Sequence, residues 1–167
     1  MPGLFEKHPR GFTRAVLRAP TLLYRARLGR VLAGRFVLLE HTGRRSGTVH
    51  QNVLEVVDHD DAFSRVVVCS GWGERSDWYR NVVADPNVSF ESNGIRYRGV
   101  ARRLAPTEAE VALQRYGQRH PHALAALARR MLDKAPTGDA ESLAMRVAAA
   151  LPVVELIAND EAPSTDS

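Results

Sequence analysis

The stretch that most constrains this chain is a glycine-bounded turn between two apolar runs. Phe36–Thr42 has strand composition, Thr48 opens a second run, and Gly43-Arg44-Arg45-Ser46-Gly47 joins them. Glycines at both ends predict positive φ angles and let main-chain N–H groups approach a ligand closely. Between them stand two guanidinium groups and a hydroxyl, a donor set matched to phosphate or carboxylate. The same residues also suit a tight hairpin with two solvated arginines, and the turn alone leaves both readings open.

The surrounding pattern extends this reversal into a sheet. Thr48–Asp58 reads as the second strand, with Val49, Val53 and Val56 out of strict alternation, which predicts a bulge or twist. Ser64–Ser70 is a third strand, whose Val66-Val67-Val68 run predicts burial on both faces. Ser76 or Asp77 can cap a helix to about Ala84, and Asp85-Pro86 stops it. Asn87–Ser92 and Ile95–Leu104 flank Asn93-Gly94, a two-residue hairpin turn. From Pro106 the chain becomes helical, with Thr107-Glu108-Ala109-Glu110 read as a capping box. Helices to about Arg119, Lys134 and Ala150 precede a last strand at Pro152–Ile157. The class is α+β, a largely antiparallel sheet curled into a barrel, with terminal helices.

Charge divides the chain. Residues 1–35 hold eight basic side chains against Glu6, a local +7 in a protein of net charge +4. Residues 11–33 read as two helical pieces broken at Pro20, so residues 1–34 form a basic helical arm. Its basic face is either solvated or laid on an anionic membrane surface. Residues 35–158 form the barrel domain, and the polar residues 159–167 read as a disordered tail. No apolar run is long enough to span a bilayer and no signal-peptide pattern opens the sequence, so a cytoplasmic protein is expected. The basic residues are not interleaved with aromatics, which argues against nucleic acid as partner.

Three stretches carry the candidate chemistry. Beside the Gly43–Gly47 turn stands Ser70-Gly71-Trp72-Gly73, which ends a strand ahead of a capped helix. Such a loop exposes backbone donors, and the helix N-terminus adds partial positive charge. The chain's two tryptophans, Trp72 and Trp78, offer flat surfaces to a planar ring; Trp78 also reads as a core residue. The third stretch, Asn52-Val53-Leu54, lies opposite the turn. The six histidines lack metal-ligand spacing and the serines lack a nucleophile elbow. His41 reads as a strand residue and His50 as a group facing an anion near the turn. The single cysteine, Cys69, reads as a strand residue. An anion cradle beside an aromatic loop, without an acid–base–nucleophile set, describes a holder of an organic redox cofactor.

Taken in order, Thr42–Gly47, Ser70–Gly73, Asp77-Trp78-Tyr79-Arg80-Asn81 and Ala84–Val88 resemble the deazaflavin-dependent nitroreductase family. The resemblance implies a split β-barrel, like those that bind FMN, and coenzyme F420 as hydride donor. By that likeness Arg44, Arg45, Ser46 and Gly47 meet the cofactor's phosphate and glutamyl tail. Ser70, Gly71, Trp72 and Gly73 meet the deazaflavin ring, and Trp78 and Asn81 flank it. Val53 stands where relatives carry a proline, Gly71 where they carry a lysine, and His50 where they carry an arginine. The implied activity is reduction of a hydrophobic or conjugated acceptor such as a quinone, enone or nitro compound. The rivals are a non-catalytic deazaflavin or lipid carrier and an FMN-binding split-barrel oxidoreductase, and either a monomer or a homodimer is compatible.

Overall fold

The computed structural model describes residues 34–131 and 137–161, and the helical arm expected over residues 11–33 lies outside them. Six strands close into an antiparallel barrel: β1 (Phe36–Thr42), β2 (Val49–His59), β3 (Arg65–Cys69), β4 (Asn87–Ser92), β5 (Ile95–Arg103) and β6 (Val153–Glu161). The order around the barrel is β1-β2-β3-β6-β5-β4, with β1 pairing both β2 and β4. Helix α1 (Asp77–Ala84) packs against β1, and α2 (Pro106–Arg119), α3 (Pro121–Met131) and α4 (Ala140–Ala150) form a layer between β5 and β6 in sequence.

The Val66-Val67-Val68 run is fully buried because each face meets a different core. Val66 and Val68 join Val37, Leu39, Phe90 and Leu156 in one cluster, with Trp78 and Val82 of α1. Val67 points the other way, into a cluster with Leu113, Leu124, Leu143 and Val147 from the helical layer. The irregular β2 contains the expected bulge, where its register against β3 shifts between Val56 and Asp58. Asn93 and Gly94 take φ values of 51° and 81°, the paired positive angles of a hairpin turn whose twist matches its strands.

Two boundaries differ from expectation. Strand β6 does not stop at Ile157 but continues to Glu161, because a register shift at Arg98/Gly99 lets it follow β5 as far as Tyr97. Residues 159–161 therefore belong to the barrel, and only 162–167 of the expected tail lie outside the described residues. Helix α2 starts at Pro106, a position where the missing N–H is harmless, so Thr107 is inside the helix and is no cap. Glu108 still reaches back, accepting the Ala105 N–H at 2.9 Å.

Candidate functional site

The β1–β2 turn, the tryptophan loop and the N-terminal end of α1 meet around one cavity of about 460 Å³. Its wall includes Arg44, Arg45 and Ser46 from the turn, Trp72 from the loop, and Trp78 and Asn81 from α1. Both ends of the sequence-derived site thus open on a single hollow of a size usual for small-molecule sites.

The turn is built differently from its sequence reading. Gly47 takes the expected positive φ of 66°. Gly43 does not; it is glycine because a Cβ there would lie 2.5 Å from Ser46 Oγ and 2.6 Å from His50 Nε2. The main-chain N–H of Gly43 goes to Thr48 and that of Gly47 to Gly43, while that of Arg44 goes to Asn81 Oδ1 at 3.1 Å. Only Arg45 and Ser46 keep main-chain N–H groups without a protein acceptor among the described residues. The cradle is narrower than a run of free amides.

The two arginines also part company. Arg44 turns inward, donating from Nη1 to Asn81 Oδ1 at 2.9 Å and from Nη2 to Asp77 Oδ1 at 3.1 Å. It fastens the turn to α1. Arg45 is exposed and has no ion pair among the described residues, so it is the guanidinium available to an anion. Ser46 Oγ lies 2.7 Å from Thr48 Oγ1 and 3.4 Å from His50 Nε2, a small polar cluster on the rim.

In the loop, Gly73 takes a φ of 66° and its N–H closes a turn onto the Ser70 carbonyl at 2.8 Å. Ser70 is buried, and its hydroxyl sits 2.7 Å from both the Gly73 carbonyl and Ser76 Oγ. Ser76 is therefore the N-cap residue of α1 by position, but its side chain turns to Ser70 and makes no cap bond. Trp72 is carried outward, 64% exposed on the cavity wall, whereas Trp78 is 7% exposed and shared with the barrel core. Ser70, Gly71 and Gly73 shape this loop without lining the cavity, and neither Gly47 nor Val53 lines it. Val53 sits across from Leu38 in the β1–β2 register.

His41, Gln51, Asn52, Ser76 and Asp77 also line the cavity, and His41 is a site residue that its sequence context did not declare. Val37 and Leu39 are fully buried, and inward alternation along β1 carries the next odd position, His41, inside as well. Its Nε2 lies 2.9 Å from Asn52 Oδ1 and its Nδ1 lies 3.1 Å from Asn81 Nδ2. Burial, aided by the neighbouring His50, lowers its pKa below 6.5 against the opposing pull of Asn52 and Asp77. That direction favours the neutral imidazole. Burial pushes the Cys69 thiol up to about 12, which removes it as a nucleophile.

The sequence model of the F420H(2)-dependent quinone reductase family matches residues 17–154. The chain belongs to that family. It is accordingly an F420-dependent oxidoreductase. Among solved structures, an F420-H2 dependent reductase (FDR-A) is 21% identical, covering 73% of this chain and 93% of its own, with a TM-score of 0.52. A domain-swapped dimer is 20% identical over 82% of this chain and 98% of its own, also at 0.52. The heme-storage protein HutZ from Vibrio cholerae is 12% identical over 82% and 89%, at 0.51. At these identities the likeness shows the shared barrel fold. No curated protein matches the sequence.

The donor set suits the family's cofactor. An anionic tail needs cationic and N–H donors, found at Arg45 and the Arg45–Ser46 main chain; a planar ring needs a flat apolar wall, found at Trp72. No helix among the described residues is long and apolar enough to cross a membrane.

Proposed function

We propose that the cavity between the β1–β2 turn and α1 holds F420, and that the acceptor is a quinone or a similarly conjugated ring. The observation that carries this reading is the single hollow shared by the arginine turn and the tryptophan loop. When bound, F420 supplies the hydride. Arg45 and the Arg45 and Ser46 N–H groups bind the anionic end, while Arg44 acts one step back by fixing the turn to α1. Ser70, Gly71 and Gly73 hold the loop in shape, and Trp72 covers the ring side and excludes water there. Orientation and exclusion of water are the protein's share of the work. The family description and the exposed indole favour a flat acceptor over a compact polar one.

The test is a fluorescence titration with F420 run against FMN, followed by steady-state oxidation of reduced F420 with a naphthoquinone, an enone and a nitroaromatic. Arg45→Ala is expected to weaken F420 binding roughly 10-fold or more, the loss of one charge-assisted contact of about 1.5–3 kcal/mol. FMN, which lacks the glutamyl tail, should respond less. Equal binding of both cofactors, or an unchanged F420 affinity in Arg45→Ala, defeats the assignment. Residues 1–34 are proposed as a peripheral anchor to membrane that dissolves the quinone; failure to co-sediment with anionic liposomes at low salt defeats that part alone.

A further inference from the structure

Donor and acceptor chemistry at the base of the turn determines more than the coordinates of any one hydrogen atom. A main-chain N–H and a guanidinium can only donate, and both from Arg44 point at the same atom of Asn81. That atom must be the amide oxygen. The Asn81 NH₂ therefore faces His41 Nδ1, and since NH₂ can only donate, Nδ1 must carry a lone pair. The ring proton then sits on Nε2 and is given to Asn52 Oδ1. Arg44, Asn81, His41 and Asn52 form one chain with a single consistent assignment, and both middle members are buried, at 5% and 3% exposure.

We propose that His41 is a positioning residue for the cofactor turn: its unprotonated Nδ1 orients Asn81, whose oxygen in turn holds Arg44, so that protonation of the imidazole loosens the turn. This rests on the reading of the cavity as the F420 site. An imidazolium donates from both nitrogens. Asn81 has one oxygen and cannot turn it to His41 and Arg44 together, so a donor is left facing a donor whichever way the amide lies. Asp77 would keep its contact with Arg44, but that carboxylate is exposed and its pairing weak.

The charged neighbours set when this happens. His50 of β2 stacks on His41 at 5.9 Å between ring centres, and Arg44 stands beyond Asn81; both oppose a second positive charge. Asp77 of α1 favours it. Glu40, next along β1, is paired with Arg96. On the other side His41 borders a second cavity whose wall also includes Arg98 of β5 and Asp160 of β6, which oppose each other in register.

The experiment measures F420 affinity between pH 8 and pH 5 for the wild type, His41→Asn and His41→Gln, with thermal melts across the same range. Asn places its amide oxygen where Nδ1 was and does not titrate; Gln places its amide near Nε2 and loses the acceptor. Expected are a wild-type Kd rising by up to about 10-fold per pH unit once His41 protonates, the limit for one linked proton. His41→Asn should show a flat profile close to the high-pH wild type, and His41→Gln weak binding throughout. A flat wild-type profile, or a slope that persists in His41→Asn, overturns the proposal. Nitrogen NMR adds a ligand-free readout: at pH 8 His41 should be the Nε2–H tautomer, and the Arg44 and Asn81 amide signals should titrate with its ring. A protonated Nδ1, or amides that do not follow, also overturns it. A wild type that fails to bind F420 at pH 8 sinks the cofactor reading instead, and the nitrogen signals still decide the relay.

Discussion

Asn81 does more for this site than its place midway along a short helix suggests. Its oxygen takes two donors from Arg44 and its amide nitrogen reaches His41, so one buried side chain joins the turn, α1 and β1. Asn81→Leu keeps the volume roughly and leaves those groups unpartnered. It should lower stability by about 1–3 kcal/mol, the cost of unsatisfied buried polar groups, as read by urea denaturation at pH 8. His41 adds a pH dependence whose sign follows from its lowered pKa. The folded state binds this proton less readily than the unfolded chain. The stabilising contribution is complete above the ordinary value of 6.5 and is lost as pH falls through the lower folded value. Denaturation midpoints should therefore drop as pH falls from 6.5 through the lower folded value, and those of His41→Asn should drop less.

At the scale of elements, the turn and the loop use glycine for different reasons. Gly47 has the positive φ and open space, so Gly47→Ala meets only backbone strain, about 1–2 kcal/mol. Gly43 has ordinary backbone angles and a crowded Cβ direction, so Gly43→Ala must push Ser46 and His50 aside. Both obstacles are side-chain ends on the rim and not core, which directs the damage to the site. Gly43→Ala should lose F420 affinity several-fold while its melting temperature stays nearer the wild type than that of Gly47→Ala. Parallel titrations and melts of the two variants check this. The loop is tied from behind as well: a Cβ on Gly71 would come 3.8 Å from Leu127, so α3 of the helical layer borders the tryptophan loop.

For the whole molecule, closure of the barrel is what brings the site's pieces together. β5 and β6 are separated in sequence by three helices, yet they pair along most of their length. Their fit depends on Gly99, where a Cβ would lie 2.0 Å from the Ile157 carbonyl oxygen, at the same place as the register shift. The obstacles are all backbone atoms of Ile157 and Ala158 on β6, which have little room to yield, so Gly99→Ala should cost more than about 4 kcal/mol and deplete the soluble folded fraction. Ion pairs fasten the helical layer to the closed barrel. Buried Asp58 of β2 accepts from Arg115 and Arg119 of α2 at 3.3 and 3.2 Å, and Arg102 of β5 pairs with Glu108 of α2 as well as with buried Glu155 of β6.

Local chemistry was enough for a great deal. Apolar runs, Asn93-Gly94 and the Gly43–Gly47 turn placed the first five strands to within a residue or so, because strand period and turn geometry are properties of neighbours along the chain. The turn and the tryptophan loop offered Arg44, Arg45, Ser46, Trp72 and Trp78, and the family resemblance added Asn81; all six line one cavity. What local pattern could not reach is which arginine stays open to solvent and which is tied to the protein, since Asn81 and Asp77 lie far from Arg44 in sequence and meet it only in space. His41 is the same case: a strand residue by pattern, a member of the site by what folding places against it. The continuation of β6 past Ile157 likewise depends on a partner strand that only barrel closure supplies. Local sequence determined the elements and part of the wall; long-range hydrogen bonding decided how those side chains are used.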